Sequence, residues 1–263
     1  VIIMLTTTYM VYCYEGDAPL LEPCIKGIKH ASPKAPIYLV DDANNPCPVN
    51  IIKGIIRGND NVTYMQTLAQ RNGNLRGIRW LIDQVGAMRI AAERTGSVYI
   101  DKIDPDHLLM RNLYDDHLPT YPDDVNAPIL YGIHCKTPPA TGMHYRIKAS
   151  ALRPLMQYLI RRAEWQQDKE ADSLPEDATL ASALLTMGTA CIIDATPGAP
   201  TCTVKSWMPL LNPSEPPDEC YHLDAINFGR MLGYNQYSAS RMMSALYDTL
   251  LASSGNGDNP HCP

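Results

Sequence analysis

Long hydrophobic runs are missing from this sequence: no stretch approaches the ~18 consecutive apolar residues of a bilayer-spanning helix. The apolar opening, residues 1–5, is shorter than a secretory signal core. We expect a soluble, cytoplasmic protein. An excess of basic charge is also absent, since 22 Lys and Arg stand against 28 Asp and Glu, a net charge of −6 that excludes long nucleic acid as a partner. Paired C-x-x-C cysteines do not occur. The eight cysteines, at 13, 24, 47, 135, 191, 202, 220 and 262, are scattered, and a chain this long needs no disulfide staples, so reduced thiols are expected. No internal repeat or heptad is present, which excludes solenoids and coiled coils.

What is present is enough apolar side chain for one large core: 45% of 263 residues. Over the first hundred residues, short apolar runs alternate with helix-period segments, the pattern of strands joined by crossover helices. The expected fold class is therefore α/β, with a mostly parallel, Rossmann-like central sheet flanked by helices and followed by C-terminal helices. Leu20, Leu21, Cys24, Ile25 and Ile28 have helical spacing, and Pro23 predicts that this helix begins near it. Residues 36–40 read as a buried strand ending in Asp41 and Asp42, and 62–65 as another. Leu75, Ile78, Ile82, Val85 and Met88 line one helix face, and Gly96 stops that helix before a strand over 98–103. Further strands are expected at 129–133 and 190–193, and helices over 149–163 and from Leu180 to Met187. Residues 115–128 read as a surface excursion, 164–172 as a charged loop, 197–217 as a Pro-rich connection, and 222–232 and 236–252 as helices.

In a parallel sheet, ligands bind beyond the carboxyl ends of the strands, so acids that directly follow apolar runs are the candidates. Asp41 and Asp42 follow one such run, and Asp104-Pro105-Asp106 follows another. In an extended segment, positions 104 and 106 point the same way, and two carboxylates on one hard cation leave coordination sites for water and phosphate oxygens. Glu176 and Asp177 stand where a helix begins, a place for a helix cap or for a general base held at a rigid terminus. His222 is a late candidate ligand.

The order of these features resembles the nucleotide-sugar glycosyltransferases of the GT-A fold, in particular the large inverting family, family two, related to cellulose and chitin synthases. Thr6-Thr7-Thr8-Tyr9 is similar to that family's first strand, Val40-Asp41-Asp42-Ala43-Asn44-Asn45 to its acid-ended strand, and Gly96 through Asp106 to its D-x-D strand. Gly142 through Ile147 resembles its acceptor-side strand, and Leu174-Pro175-Glu176-Asp177-Ala178-Thr179-Leu180 its catalytic block. The Gly-Ser-x-Asp turn, the Ala-Arg-Asn-x-Gly string and the Gln-x-x-Arg-Trp block are not found, which argues against a processive polysaccharide synthase.

The resemblance implies a metal-dependent transfer of a sugar from a nucleotide-diphosphate donor to an acceptor hydroxyl, on a carbohydrate or another molecule. Thr7, Tyr9, Asp41, Asp42, Arg89 and Asp104 would bind the donor; Asp104, Asp106 and His222 would hold Mn²⁺ or Mg²⁺; Asp177 would be the base of an inverting displacement, aided by Glu176. Residues 1–252 would form a single domain, with 1–110 the nucleotide-binding half, 111–225 the acceptor and catalytic half and 226–252 the C-terminal helices, before a flexible tail over 253–263. A nucleotidyltransferase should instead carry a glycine-rich loop with Arg after its first strand, and residues 6–17 hold only Gly16 and no Arg. A noncatalytic nucleotide- or sugar-binding relative is the remaining alternative.

Overall fold

Alternation decides the first strand. Along β1 (Thr7–Cys13), Tyr9, Val11 and Cys13 enter one core while Met10 and Tyr12 enter another, so the strand is buried on both faces. The computed structural model describes residues 6–67, 78–109, 130–132, 144–165, 176–187, 192–194, 201–203 and 225–227, and 240–248 apart from 242 and 246.

A short 3-10 turn, Glu15–Asp17, leads from β1 into α1 (Ala18–Ala31). β2 (Ile37–Asp42), α2 (Val49–Arg57), β3 (Val62–Thr67), α3 (Ile78–Thr95) and β4 (Tyr99–Ile103) follow. Gly96, at φ 67°, occupies the left-handed position that ends α3, as its sequence position predicts. After β5 (His107–Leu109) come β6 (Leu130–Gly132), β7 (His144–Lys148), α4 (Ala149–Trp165), α5 (Glu176–Thr186), β8 (Ile192–Asp194), β9 (Thr201–Thr203) and β10 (Ala225–Asn227).

The seven-stranded sheet has the order β3-β2-β1-β4-β7-β6-β8. Strands β3, β2, β1 and β4 are parallel, and β7 runs antiparallel between β4 and β6. One face of the sheet is covered by α1 and α2 through Leu21, Ile25, Ile52 and Ile55, the other by α3, α4 and α5 through Val85, Met88, Leu152, Leu155 and Leu184. The α/β expectation is borne out: a mostly parallel sheet lies between helical layers.

Four local expectations are corrected. Pro23 lies inside α1, which begins at Ala18 with Pro19 in its first turn, where a missing N–H costs nothing. Pro23 has no N–H to offer the carbonyl four residues back, that of Pro19, and the Ser240 hydroxyl donates to it instead, at 2.5 Å. The helical residues around 240–248 thus dock on α1, with Met243 buried in its core and Tyr247 edge-on to His30. Second, residues 104–106 are not extended: the His107 N–H donates to the Asp104 carbonyl at 3.0 Å, closing a turn that carries the chain into β5. Third, residues 225–227 form a strand rather than part of a helix, and fourth, the Pro-rich connection contains β9. Together β5, β10 and β9 make a separate three-stranded sheet, because β10 finds in β5 a partner that helical periodicity does not register.

The expected features at residues 1–5, 115–128 and 253–263 lie outside the described residues, as does His222.

Candidate functional site

The sheet reverses its strand order between β1 and β4: the chain runs outward from β1 to β2 and β3, then returns to pair β4 on the other side of β1. At such a switch point the crossovers diverge and leave a crevice at the carboxyl edge. Asp104 and Asp106 leave β4 at that edge. In the shared register Val11 lies beside Ile103, so the turn of 104–106 stands next to the end of β1 and the Glu15–Asp17 segment. Cys24, on α1, reports what gathers there. Burial pushes its thiol well up, and the carboxylates of Asp106, Asp104 and Asp17 push it further, while its Sγ lies 3.8 Å from the Asp104 carbonyl. Asp17, which the sequence reading did not select, is buried and its Oδ2 accepts the Tyr14 N–H at 3.3 Å. Its signal in the sequence is its place four residues after Cys13, where β1 ends.

A buried polar cluster supports the turn. Asp101 on β4 lies opposite Arg146 on β7 and accepts two hydrogen bonds from its guanidinium, at 2.5 and 2.8 Å. Burial alone would raise the Asp101 carboxyl, but Arg146 and His144 outweigh it and hold it below the ordinary carboxylate range. His144 Nε2 lies 3.9 Å from Asp101 Oδ2, and the His144 ring meets His107 edge-on with centroids 5.3 Å apart. Both histidines are fully buried, and burial pushes both below their usual value, so both are neutral imidazoles near pH 7. Lys102, on the opposite face of β4, is buried against the Tyr145 ring and donates from Nζ to Asp104 Oδ1 at 2.6 Å. Its stem and head orient one of the two acids.

At the end of β2, Asp41 and Asp42 point to opposite faces and do different work. Asp41 is fully buried: it accepts the Cys47 N–H at 3.0 and 3.1 Å and the Tyr64 hydroxyl at 3.0 Å. Asp42 Oδ1 accepts the Asn44 N–H at 3.0 Å and so shapes the following turn.

Thr7, Tyr9 and Arg89 are not brought to this edge. Thr7 begins β1, at the amino edge of the sheet, and six residues of strand at about 3.3 Å each separate it from Cys13. Tyr9 faces the α1 core, with its hydroxyl 2.9 Å from Ser32 Oγ. Arg89 lies in α3, about 16 Å of helix beyond Ile78, and donates to Glu93 at 2.6 Å. Glu176 and Asp177 open α5, which is anchored through Leu180, Ala183 and Leu184 in the core it shares with α3 and α4.

A parallel 3-2-1-4 half-sheet with an antiparallel β7 beside β4 defines a fold class, the α/β fold of GT-A type. Particular solved structures bear this out. The galactosyltransferase LgtC, crystallised with donor and acceptor sugar analogues, aligns with a TM-score of 0.56 over 92% of this chain and 95% of its own, at 10% identity. A glycosyltransferase involved in glycosylation of the major capsid of PBCV-1 aligns with a TM-score of 0.51 over 91% and 99%, also at 10% identity. The glycosyltransferase GlyE of Streptococcus pneumoniae TIGR4 gives 0.54 and 13% identity, over 95% of this chain and 64% of its own. These identities establish the fold alone. No protein-family profile matches the chain, and no curated protein matches it in sequence. Among the described residues, no helix is long and apolar enough to cross a membrane.

Proposed function

We propose that the chain transfers a sugar from a nucleotide-diphosphate donor to an acceptor hydroxyl, at the crevice between the ends of β1 and β4. The observation that carries this reading is the Asp104-Pro105-Asp106 turn at the switch point of a sheet shared with solved glycosyltransferases.

The donor set fits a hard divalent cation. Two carboxylates from one turn supply oxygen ligands and leave positions for phosphate oxygens and water, as Mn²⁺ and Mg²⁺ require. Lys102 Nζ donates to Asp104 Oδ1. His222 is a candidate third ligand from the C-terminal part of the chain. Bound there, the cation would offset charge on the departing nucleoside diphosphate.

The protein's own residues do the rest. Lys102 and the 104–107 turn hold the carboxylates in place, and the Asp101–Arg146 pair fixes β4 against β7 beneath them. The nucleoside lies along the ends of β1 and β2, against the Tyr14–Asp17 segment and the turn shaped by Asp42, a role moved here from Thr7 and Tyr9. Asp177, at the start of α5 and assisted by Glu176, takes the proton of the acceptor hydroxyl as its oxygen bonds to the anomeric carbon and the bond from that carbon to the phosphate oxygen breaks. A single displacement of this kind inverts the anomeric centre.

Incubation of the protein with a panel of nucleotide-diphosphate sugars and Mn²⁺, followed by NMR of the product anomer, tests the reading. Expected are release of one nucleoside diphosphate with an inverted glycoside, abolished by Asp104→Asn or Asp106→Asn. Asp177→Asn should abolish transfer while donor binding persists. A retained anomer would remove Asp177 from the role of base. Metal-dependent binding of nucleoside triphosphates with pyrophosphate release would replace glycosyl transfer by nucleotidyl transfer.

A further inference from the structure

On the β2 side of β1, away from the acid turn, three ligating side chains converge, among them Asp41, which the resemblance assigns to the donor but which is fully buried beneath the strand ends. Cys13 ends β1, Asp41 lies beside it in register on β2, and Cys47 returns from the loop after β2. One ligand atom from each lies within 4.8 Å of the others, and all three residues are buried. We propose that Cys13, Asp41 and Cys47 form a binding site for a thiophilic divalent cation of the zinc type, separate from the hard-ion position at Asp104 and Asp106.

The distances suit such an ion. Tetrahedral zinc with usual bond lengths of about 2.3 Å to sulfur and about 2.0 Å to oxygen sets sulfur and oxygen ligands about 3.5 Å apart. Cys13 Sγ and Asp41 Oδ1 are 3.9 Å apart, within a small side-chain adjustment of that value. The carboxylate is already oriented from outside the triad: the Tyr64 hydroxyl donates to Oδ2 at 3.0 Å, and the Cys47 N–H donates to both oxygens. Partners of this kind fix a ligand's geometry around a metal. The Tyr14 carbonyl, 3.0 Å from Cys47 Sγ, stands nearby as a fourth donor. Two thiols select zinc-like ions over Mg²⁺ and Mn²⁺, which prefer all-oxygen sites. Without metal, a hydrogen bond with Cys47 and burial hold Cys13 in its thiol form. Binding therefore breaks each S–H bond, sends one proton per thiol to solvent and forms two metal–sulfur bonds, with no change of oxidation state. The ion would clamp the ends of β1 and β2 to the loop that leads into α2.

The test is titration of the full chain, stripped with chelator under reductant, with Co²⁺. Expected is one bound cobalt with a thiolate-to-cobalt charge-transfer band, displaced by Zn²⁺ and lost in Cys13→Ser and in Cys47→Ser, but kept in Asp104→Asn. Tyr64→Phe should weaken Co²⁺ binding by about 10- to 100-fold, and it decides the matter if a serine variant fails to fold. No band, a band that survives both serine substitutions, or unchanged affinity in Tyr64→Phe would overturn the site. A protein that shows the band yet turns over no nucleotide-sugar donor would overturn glycosyl transfer alone.

Discussion

Arg146 grips Asp101 across the antiparallel β4–β7 pair with two hydrogen bonds of 2.5 and 2.8 Å, both side chains fully enclosed. The guanidinium also lies 5.4 Å from the centroid of the Tyr99 ring. A planar fork satisfies both carboxylate oxygens at once, which is what makes a charge tolerable at this depth.

Removing one partner strands the other. Arg146→Met should destabilise the fold by about 3–5 kcal/mol, because a buried carboxylate is left uncompensated. Replacing both, as Asp101→Leu with Arg146→Met, should cost far less. Urea unfolding of the single and double variants gives the comparison, and a double variant as unstable as the single would refute the account.

Acid should unfold the protein in two stages. His107 and His144 are held below the ordinary histidine value of about 6.5, by burial above all, and Lys102 adds repulsion at both. As pH falls through that ordinary value, the unfolded chain takes up protons that the folded chain refuses, so stability declines until the lowered folded values are reached. Asp101, also depressed, adds a second loss below the usual carboxylate range as its pairing with Arg146 is titrated away. Urea midpoints at about pH 7.5 and about pH 5.5 should differ in the parent protein and differ less in His107→Leu. Equal differences would show that His107 carries none of the effect.

The α/β architecture was legible because strands and helices have different periods, and β1 to β4 with their crossovers are long enough to show them. Asp104 and Asp106 were legible because they end a strand. Asp101 and Lys102 carry no signal of their own in the sequence: their partners, Arg146 and Tyr145, come from β7 more than forty residues later, and one chain's periodicity carries no information about pairing. The strand at 225–227 carries a helical period for the same reason, since its partners β5 and β9 decide its state. Thr7 and Tyr9 stand toward the amino end of β1, because the strand runs on to Cys13 and its carboxyl edge lies past Tyr12.

Gly27 should not tolerate a side chain. A Cβ there would lie 2.8 Å from the Leu109 carbonyl oxygen and 2.9 Å from Leu108 Cδ1, where α1 crosses β5. Gly27→Ala should cost about 1–3 kcal/mol through overpacking, despite the better helix propensity of alanine. Thermal unfolding measures it, and a variant as stable as the parent would show that β5 yields.

Ser240 and Pro23 should be energetically coupled through the Pro19 carbonyl. Ser240→Ala should cost about 1 kcal/mol in the parent, because the Pro19 carbonyl loses its hydroxyl donor. In a Pro23→Ala background, the restored backbone N–H can serve that carbonyl, and the same substitution should cost less. A double-mutant cycle by urea unfolding reads the difference; strict additivity would disprove the link.

Between β4 and β5 the chain has only Asp104, Pro105 and Asp106, closed by one hydrogen bond. The two sheets are therefore joined by a hinge without slack, and its hinge pin is the acid pair itself. Leu108 and Leu109, buried against α1, hold β5 in the main core, so the packing of a helix on the far side of the small sheet's first strand also sets where the two carboxylates stand.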